Sequence, residues 1–264
     1  MRLTVIGTGT AAPHPRRVQT GVLIECDAVR LLIDCGSGVV FRMAQLNLDW
    51  RTLTHVAVTH FHADHCSDLP TLVFGWRYGM LPARSAPVDV MGPVGTHALL
   101  GRLDGLFHLP LTGSTPQLRI TELVPREPAD LGHGVAIEAC KVPHTAESVA
   151  YAVTWRGRRA VFSGDTGFDA EFGEWAAGAD LLLLECSLPE SLAIPMHLTP
   201  EQCGVLAGLA SPGLLVLTHL YPPVEDVDIA GAVRAHYAGP LVIASDGWSQ
   251  QVEPVAAESG TRTP

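Results

Sequence analysis

Residues 53–72, LTHVAVTHFHADHCSDLPTL, constrain this chain more than any other stretch. The apolar run Val56-Ala57-Val58 has the character of a buried strand, and it breaks into His60-Phe61-His62-Ala63-Asp64-His65. Side chains two apart at a strand end leave on the same side, so His60 and His62 share a direction. Asp64 and His65 follow where the chain must turn, and can face a second point nearby. Neutral imidazole and carboxylate are ligands that zinc and similar divalent ions accept. A single histidine at a strand end is ordinarily a hydrogen-bonded core or surface residue. Three histidines and an aspartate within this short run are different, because burying them without partners would cost several kcal/mol. The cluster reads as a metal or catalytic site.

Four further residues stand at the ends of apolar runs. His144 follows Cys140-Lys141-Val142-Pro143, Asp165 follows Val161-Phe162-Ser163-Gly164, and His219 follows Val216-Leu217-Thr218. His197 precedes Thr199, which has the makings of a helix cap. Each alone is unremarkable, since loops are polar anyway. Together with the cluster they supply ligands for two metals. His60, His62 and His144 suit one ion, Asp64, His65 and His219 the other, and Asp165 would bridge, with His197 left outside. That count suits a two-metal hydrolytic site. Asp34, after the apolar Leu31-Leu32-Ile33, reads either as catalytic or as a helix cap that orients a ligand imidazole; the second role is favoured, since metal-bound histidines need such an acceptor. Cys66 is not needed as a ligand. Gly7-Thr8-Gly9-Thr10 opens a loop near the rim of the site. No third glycine follows, and Pro13 and Pro15 oppose the helix that a dinucleotide fingerprint requires. His14 in that loop is expected to be solvated.

The remaining pattern is that of one α/β domain over 1–248, with no linker to divide it. Strands are expected at 3–6, 22–25, 30–33, 88–91, 118–124, 135–142, 149–155, 160–162, 181–184, 214–217 and 241–244. Helices are expected at 39–46, 68–78, from 92 through 103, after Thr199, and at 224–237. Residues 249–264 turn polar and read as a flexible tail. No apolar run reaches the ~18–20 residues that cross a bilayer. The start reads as a strand entering a glycine turn, so a cytoplasmic protein is expected. Six cysteines without a C-x-x-C pair fit reduced thiols. The net charge of −10 argues against a surface dedicated to nucleic acid.

The ordered motifs resemble the metallo-β-lactamase superfamily of metallohydrolases, and within it the ribonuclease Z branch. The residues that carry the resemblance are His60-Phe61-His62-Ala63-Asp64-His65, Leu69-Pro70, His144, Ser163-Gly164-Asp165-Thr166 and Thr218-His219, with Gly7-Thr8-Gly9-Thr10 and Leu32-Ile33-Asp34-Cys35-Gly36. The resemblance implies an αββα sandwich with the metals at one edge. It also implies two Zn2+ per chain, or Mn2+ or another divalent metal, held by the seven residues named. His197-Leu198-Thr199 is similar to a short histidine motif of that branch, whose histidine protonates the leaving oxygen. Asp64 would ligate and orient the nucleophile.

Two departures stand out. Ribonuclease Z inserts a long tRNA-gripping arm between the positions of His144 and Asp165. Here Trp155-Arg156-Gly157-Arg158 is only a tight hairpin, so tRNA is not expected as a partner. Ser67-Asp68 replaces a glycine common after the cluster. The expected function is hydrolysis of small, cyclic or short phosphodiesters or RNA ends. The alternatives are a lactonase or β-lactam hydrolase on the same metals and, more remotely, a metal-dependent binding module. A redox di-iron protein would be expected to place a glutamate in the cluster. The oligomeric state is open, a homodimer included.

Overall fold

In the computed structural model, which describes residues 1–108 and 116–255, the apolar runs assemble into two seven-stranded sheets laid face to face. The first contains β1 (Arg2–Gly7), β2 (Gly21–Cys26), β3 (Val29–Ile33), β4 (His55–Ala57), β5 (Val88–Gly92) and β6 (Leu118–Glu122). The second contains β7 (Ala129–Gly132), β8 (Val135–Lys141), β9 (Val149–Trp155), β10 (Arg158–Phe162), β11 (Leu181–Glu185), β12 (Leu215–Thr218) and β13 (Leu241–Ile243). A last strand, β14 (Ser249–Gln251), returns to the first sheet, whose order is β14-β1-β2-β3-β4-β5-β6; the second runs β13-β12-β11-β10-β9-β8-β7. In each sheet the early strands pair antiparallel, with tight hairpins joining β2 to β3, β7 to β8 and β9 to β10. The later ones, from β3 to β6 and from β10 to β13, pair parallel through helical crossovers.

The strand sequences explain the layering. Inward residues of the first sheet, including Val5, Ile24, Leu31 and Ile33, meet Ile137, Tyr151, Phe162 and Leu183 of the second. The outer face of the first sheet buries Leu23, Leu32 and Val56 beneath α1 (Val39–Gln45), α3 (Leu69–Tyr78) and α4 (Thr96–Phe107). The outer face of the second buries Leu182, Leu184 and Leu217 beneath α5 (Ala170–Trp175), α6 (Pro200–Ala210) and α7 (Ile229–Arg234). Strand β11, LLLLE, is buried on both faces, which is why it reads as an unbroken apolar run. Each buried leucine contributes about 1.5–3 kcal/mol, so both cores fix this strand's register at once. The expected αββα sandwich is the observed fold.

Helix α6 starts as its sequence requires. Thr199 and Gln202 form a reciprocal capping box, with Pro200 in the first turn. Three expectations need correction. The helix expected over 224–237 is broken: a 3-10 turn over Pro222–Asp226 ends at extended Val227, and α7 begins only after Asp228, whose carboxylate accepts from the Gly231 N–H at 2.9 Å. The tail expected from Ser249 instead begins with β14, antiparallel to β1. All three of its residues are exposed, so this edge strand carries no hydrophobic period that could betray it. Residues 256–264 of that tail lie outside the described residues. His14 is only partly exposed, with Nε2 3.4 Å from Glu225.

The parallel order also positions the site. Strands β3, β4, β10, β11 and β12 end on one edge of the sandwich. The segments that follow them carry Asp34, the histidine cluster, Asp165, Ser187 and His219.

Candidate metal centre

After β4 the chain runs extended through His60 to His62, then closes into a single turn of helix, α2 (Ala63–Cys66). This puts the His60 and His62 rings 4.7 Å apart and turns Asp64 and His65 inward, where both are buried. The turn is clamped from below. The Cys35 N–H donates to the His65 carbonyl at 2.7 Å and the Thr20 N–H to the Asp64 carbonyl at 3.2 Å. Gly36 lies so close beneath that a Cβ there would stand 2.0 Å from the Asp64 carbonyl oxygen, which accounts for the glycine of Asp34-Cys35-Gly36.

The seven residues expected as ligands come together in two groups that share Asp165. One is His60, His62, His144 and Asp165; the other is Asp64, His65, Asp165 and His219; within each, one ligand atom per residue lies within 4.8 Å of the others. Asp165 faces both. Its Oδ2 lies 3.8 Å from Nε2 of His60 and of His144, and its Oδ1 lies 3.1 Å from His65 Nε2 and 3.3 Å from His219 Nε2. Asp64 Oδ2 is 3.5 Å from His219 Nε2. His62 turns Nδ1 inward, 3.1 Å from His144 Nε2.

Whether a cation fits is decided by what these atoms lack. His60 Nε2, His65 Nε2, His219 Nε2 and Asp165 Oδ1 are all buried and make no hydrogen bond. Four orphaned polar atoms converging on one point are costly unless something satisfies them. The electrostatics agree. Burial, with neighbouring imidazoles, lowers His60 to about 2, so it stays neutral with its lone pair available. Burial would raise Asp64, but the adjacent His219 and His65 imidazoles hold it at about 2. Burial likewise opposes charge on Asp165, yet His219, His65 and His60 keep its carboxyl well below the usual range. On His65 burial is outweighed by Asp165 and Asp34, which raise its pKa well above the ordinary value. The pocket demands positive charge, and a divalent cation supplies it. The donor set is that of a divalent-metal centre.

Beneath the ligands lie two buried carboxylates. Asp34, in a left-handed conformation at the end of β3, accepts from His65 Nδ1 at 2.7 Å, from the Thr59 N–H at 2.8 Å and from the Thr59 hydroxyl at 2.9 Å. The same hydroxyl lies 3.1 Å from His60 Nδ1. Asp34 thus holds the His65 imidazole as expected, but it caps no helix: the N-cap of α1 is Gly38, without a side-chain bond. The second carboxylate, Glu185, ends β11 and is the main residue missed in the sequence. Its Oε1 accepts from His197 Nδ1 at 2.9 Å and from the Thr166 N–H at 2.7 Å; its Oε2 accepts from the Leu198 N–H at 3.2 Å and from the Ser187 hydroxyl. Ser187 Oγ in turn lies 2.9 Å from His219 Nδ1. The available signal was an acid set directly against four leucines. Nothing in the sequence marked Ser187 or Thr59.

Glu185, His197 and His219 also lie close enough to resemble a third ligand group. Both oxygens of Glu185 are already taken by N–H and O–H donors, so that group is a hydrogen-bonded network. His197 remains outside the two ligand groups, its ring centroid 5.0 Å from that of His144 and 5.7 Å from that of His219. Burial would lower its pKa, but the Glu185 hydrogen bond and charge raise it to about 9. With Nδ1 bound to Glu185, Nε2 is the nitrogen left for the cleft. That cleft has a volume of about 420 Å³, and Ala11, Gln19, Ile194, Met196 and Tyr221 complete its walls around the ligands. Cys66 stays out of the site, its thiol turned to the His62 carbonyl.

Comparison with known proteins places this geometry. Residues 29–220 match the model of the beta-lactamase superfamily domain. An uncharacterised protein of Mycobacterium tuberculosis is 31% identical over 91% of this chain and 88% of its own length. A ribonuclease Z of Mycobacterium sp. (strain KMS) is 29% identical over 85% of each chain. Among solved structures, the metallo-beta-lactamase fold protein YhfI from Bacillus subtilis superposes with a TM-score of 0.83 at 24% identity, covering 94% of this chain and 98% of that one. No helix among the described residues is long and apolar enough to cross a membrane. With its αββα sandwich and its histidine–aspartate centre at one sheet edge, the chain belongs to the beta-lactamase superfamily and has the metallo-β-lactamase fold.

Proposed function

We propose that this protein is a dinuclear zinc hydrolase of small phosphodiesters. The observation that carries the reading is His197. It is held by Glu185, whose hydrogen bond and charge raise its pKa, and it lines the cleft beside the ligand cluster with Nδ1 taken and Nε2 left to act. Hydrolysis of an ester with a poor leaving group needs a proton at the departing oxygen, and this residue is built to give one. His60, His62 and His144 would hold one ion, Asp64, His65 and His219 the other, with Asp165 shared. When bound, such ions supply Lewis acidity toward a phosphoryl oxygen and toward water. Asp64, ionised beside His219, orients the attacking water. As the new P–O bond forms and the old one breaks, the departing alkoxide takes its proton from His197. The similarity to ribonuclease Z supports phosphodiester chemistry.

The substrate is small in this reading. No arginine or lysine among the described residues lines the cleft, the net charge is −10, and β9 and β10 join through a bare two-residue turn at Arg156-Gly157. A folded RNA needs several phosphate contacts, each bringing counterion release, and the basic residues near the cleft are too few to favour that reading. The test is a side-by-side assay of bis(p-nitrophenyl) phosphate, a cyclic nucleotide, a lactone, a β-lactam and a pre-tRNA at matched metal loading. The diesters should be turned over fastest. A lactone or β-lactam as clear winner would overturn the phosphodiester reading, and efficient, salt-sensitive pre-tRNA cleavage would overturn the size limit. His197→Ala should retain both metals yet lose roughly 10²–10⁴ in rate on an alkyl leaving group, and far less on nitrophenolate. Equal losses on both would remove the acid role.

A further inference from the structure

The turn over residues 194–197 has no part in holding metal, yet it is closed on itself and meets the site at two points. The His197 N–H donates to the Ile194 carbonyl at 3.3 Å, closing the turn on itself. The Met196 carbonyl accepts from Nδ1 of His144 at 2.9 Å, so the turn orients a metal-ligand imidazole. The Pro195 carbonyl packs against Gly167, where a Cβ would stand 1.9 Å away, so the turn lies directly on the Asp165 loop. A segment fixed this way places its side chains at set positions relative to the ligands and to His197. Those side chains are Ile194 and Met196, 44% and 43% exposed, and both line the cleft.

From this we infer that Ile194 and Met196 form the subsite for the leaving alcohol, and that it selects an uncharged alcohol with a flat apolar face, such as a nucleoside or an aryl group. The inference rests on the phosphodiesterase reading above. The leaving oxygen must come within reach of His197 Nε2, so its substituent lies beside the segment that leads into His197. That segment offers a thioether and a branched alkyl group, and methionine sulfur makes favourable contacts with aromatic rings. Tyr221, whose ring stands 5.9 Å from that of His197, bounds the same space. Apart from His197, whose proton goes to the leaving oxygen, no cationic side chain among the described residues lines the cleft to receive a charge on the leaving group. The basic residues of the nearby loop are engaged elsewhere: Arg17 lies 2.6 Å and Arg16 3.6 Å from Glu225.

The test uses the metal-loaded protein and two diesters that share a retained methyl group: methyl 4-nitrophenyl phosphate and its 3-carboxy-4-nitrophenyl counterpart. The wild-type protein should prefer the neutral leaving group by about tenfold or more in kcat/KM. Met196→Ala and Ile194→Ala should raise KM for the neutral diester several-fold, with a smaller effect on kcat, because the contact is made in the ground state as well. Met196→Lys should reverse or abolish the preference by giving the carboxylate a partner. A wild-type protein indifferent to the carboxylate, with Met196→Lys leaving the ratio unchanged, refutes the subsite while leaving the phosphodiesterase reading intact. If neither diester is hydrolysed, that reading fails and the subsite fails with it.

Discussion

Two buried carboxylates underlie this site, one from each sheet, and they are built alike. Asp34 ends β3 and Glu185 ends β11; both are fully buried, and each takes an imidazole, a hydroxyl and at least one backbone N–H. The difference lies in which imidazole is bonded directly. Asp34 holds the ligand His65 directly and reaches the ligand His60 through Thr59. Glu185 reaches a ligand, His219, only through Ser187, and gives its direct bond to His197, which lies outside both ligand groups. In the proposed reading one carboxylate would secure ions, and the other would be divided between securing an ion and arming an acid. The same local chemistry serves two ends because of the partner it faces.

The largest expected effect removes the comparison altogether. Asp165 faces both ligand groups, so Asp165→Ala should strip both metals, by elemental analysis, and bring hydrolysis to background. Retention of one tightly held ion would show that the aspartate is not shared. Next comes Asp34→Ala, which leaves His65 buried beside Asp165 without its orienting partner. Loss of one member of such a buried pair costs about 3–5 kcal/mol, and an orienting partner of a ligand histidine is worth about 10–100-fold in metal affinity. Thermal unfolding and chelator competition measure the two; a variant of unchanged Tm and unchanged metal affinity would contradict the role assigned to Asp34.

Glu185→Gln should differ in kind. It should keep both metals and lose rate on poor leaving groups. It should also change the pH profile. His197 titrates near 9 in the folded protein, above the ~6.5 of a free histidine. Its charged pairing with Glu185 therefore contributes stability in full below about pH 6.5, and that contribution is lost as pH rises through about 9. The basic limb of kcat should follow the same titration and move to lower pH in Glu185→Gln. A limb that stays in place would separate the acid from this carboxylate. The smallest effects belong to the hydroxyls. Thr59→Val and Ser187→Ala each leave buried groups one bond short, a penalty of about 1–3 kcal/mol. Thr59→Val should weaken metal retention alone, whereas Ser187→Ala should weaken both metal retention and rate, with Ser187→Thr restoring them. Identical phenotypes for the two would dissolve the distinction between the carboxylates.

The sequence made the ligands legible because each is a chemically distinctive residue at the end of an apolar run. The spacing of His60, His62, Asp64 and His65 leaves few ways to fold. Asp34 was readable for the same reason. Glu185 was harder, since an acid at the close of a leucine run reads equally well as the first solvated residue after a strand. Ser187, Thr59 and the 194–197 turn were invisible because serine, threonine and short apolar stretches occur everywhere, and only their placement gives them a task. The fold followed from alternation and turn residues, except where those signals vanish. Strand β14 is exposed on every residue and has no period, and α7 sits in a helical pattern that Val227 and the Asp228 cap interrupt.

The four donors gathered on Glu185 bear on how such a protein can diverge. If His197 is exchanged for another residue, the Thr166 and Leu198 N–H groups and the Ser187 hydroxyl still donate to the carboxylate, although its buried charge loses the imidazolium paired with it. In the proposed reading the proton donor is therefore more readily exchanged than the acid beneath it: a lineage could discard the histidine, and adopt esters that leave unaided, at the cost of one buried pairing. Glu185 has no such freedom, because its loss would strand all four donors together. Variation at this scaffold should accordingly accumulate at the histidine and along the adjoining turn, while the acid beneath them stays put.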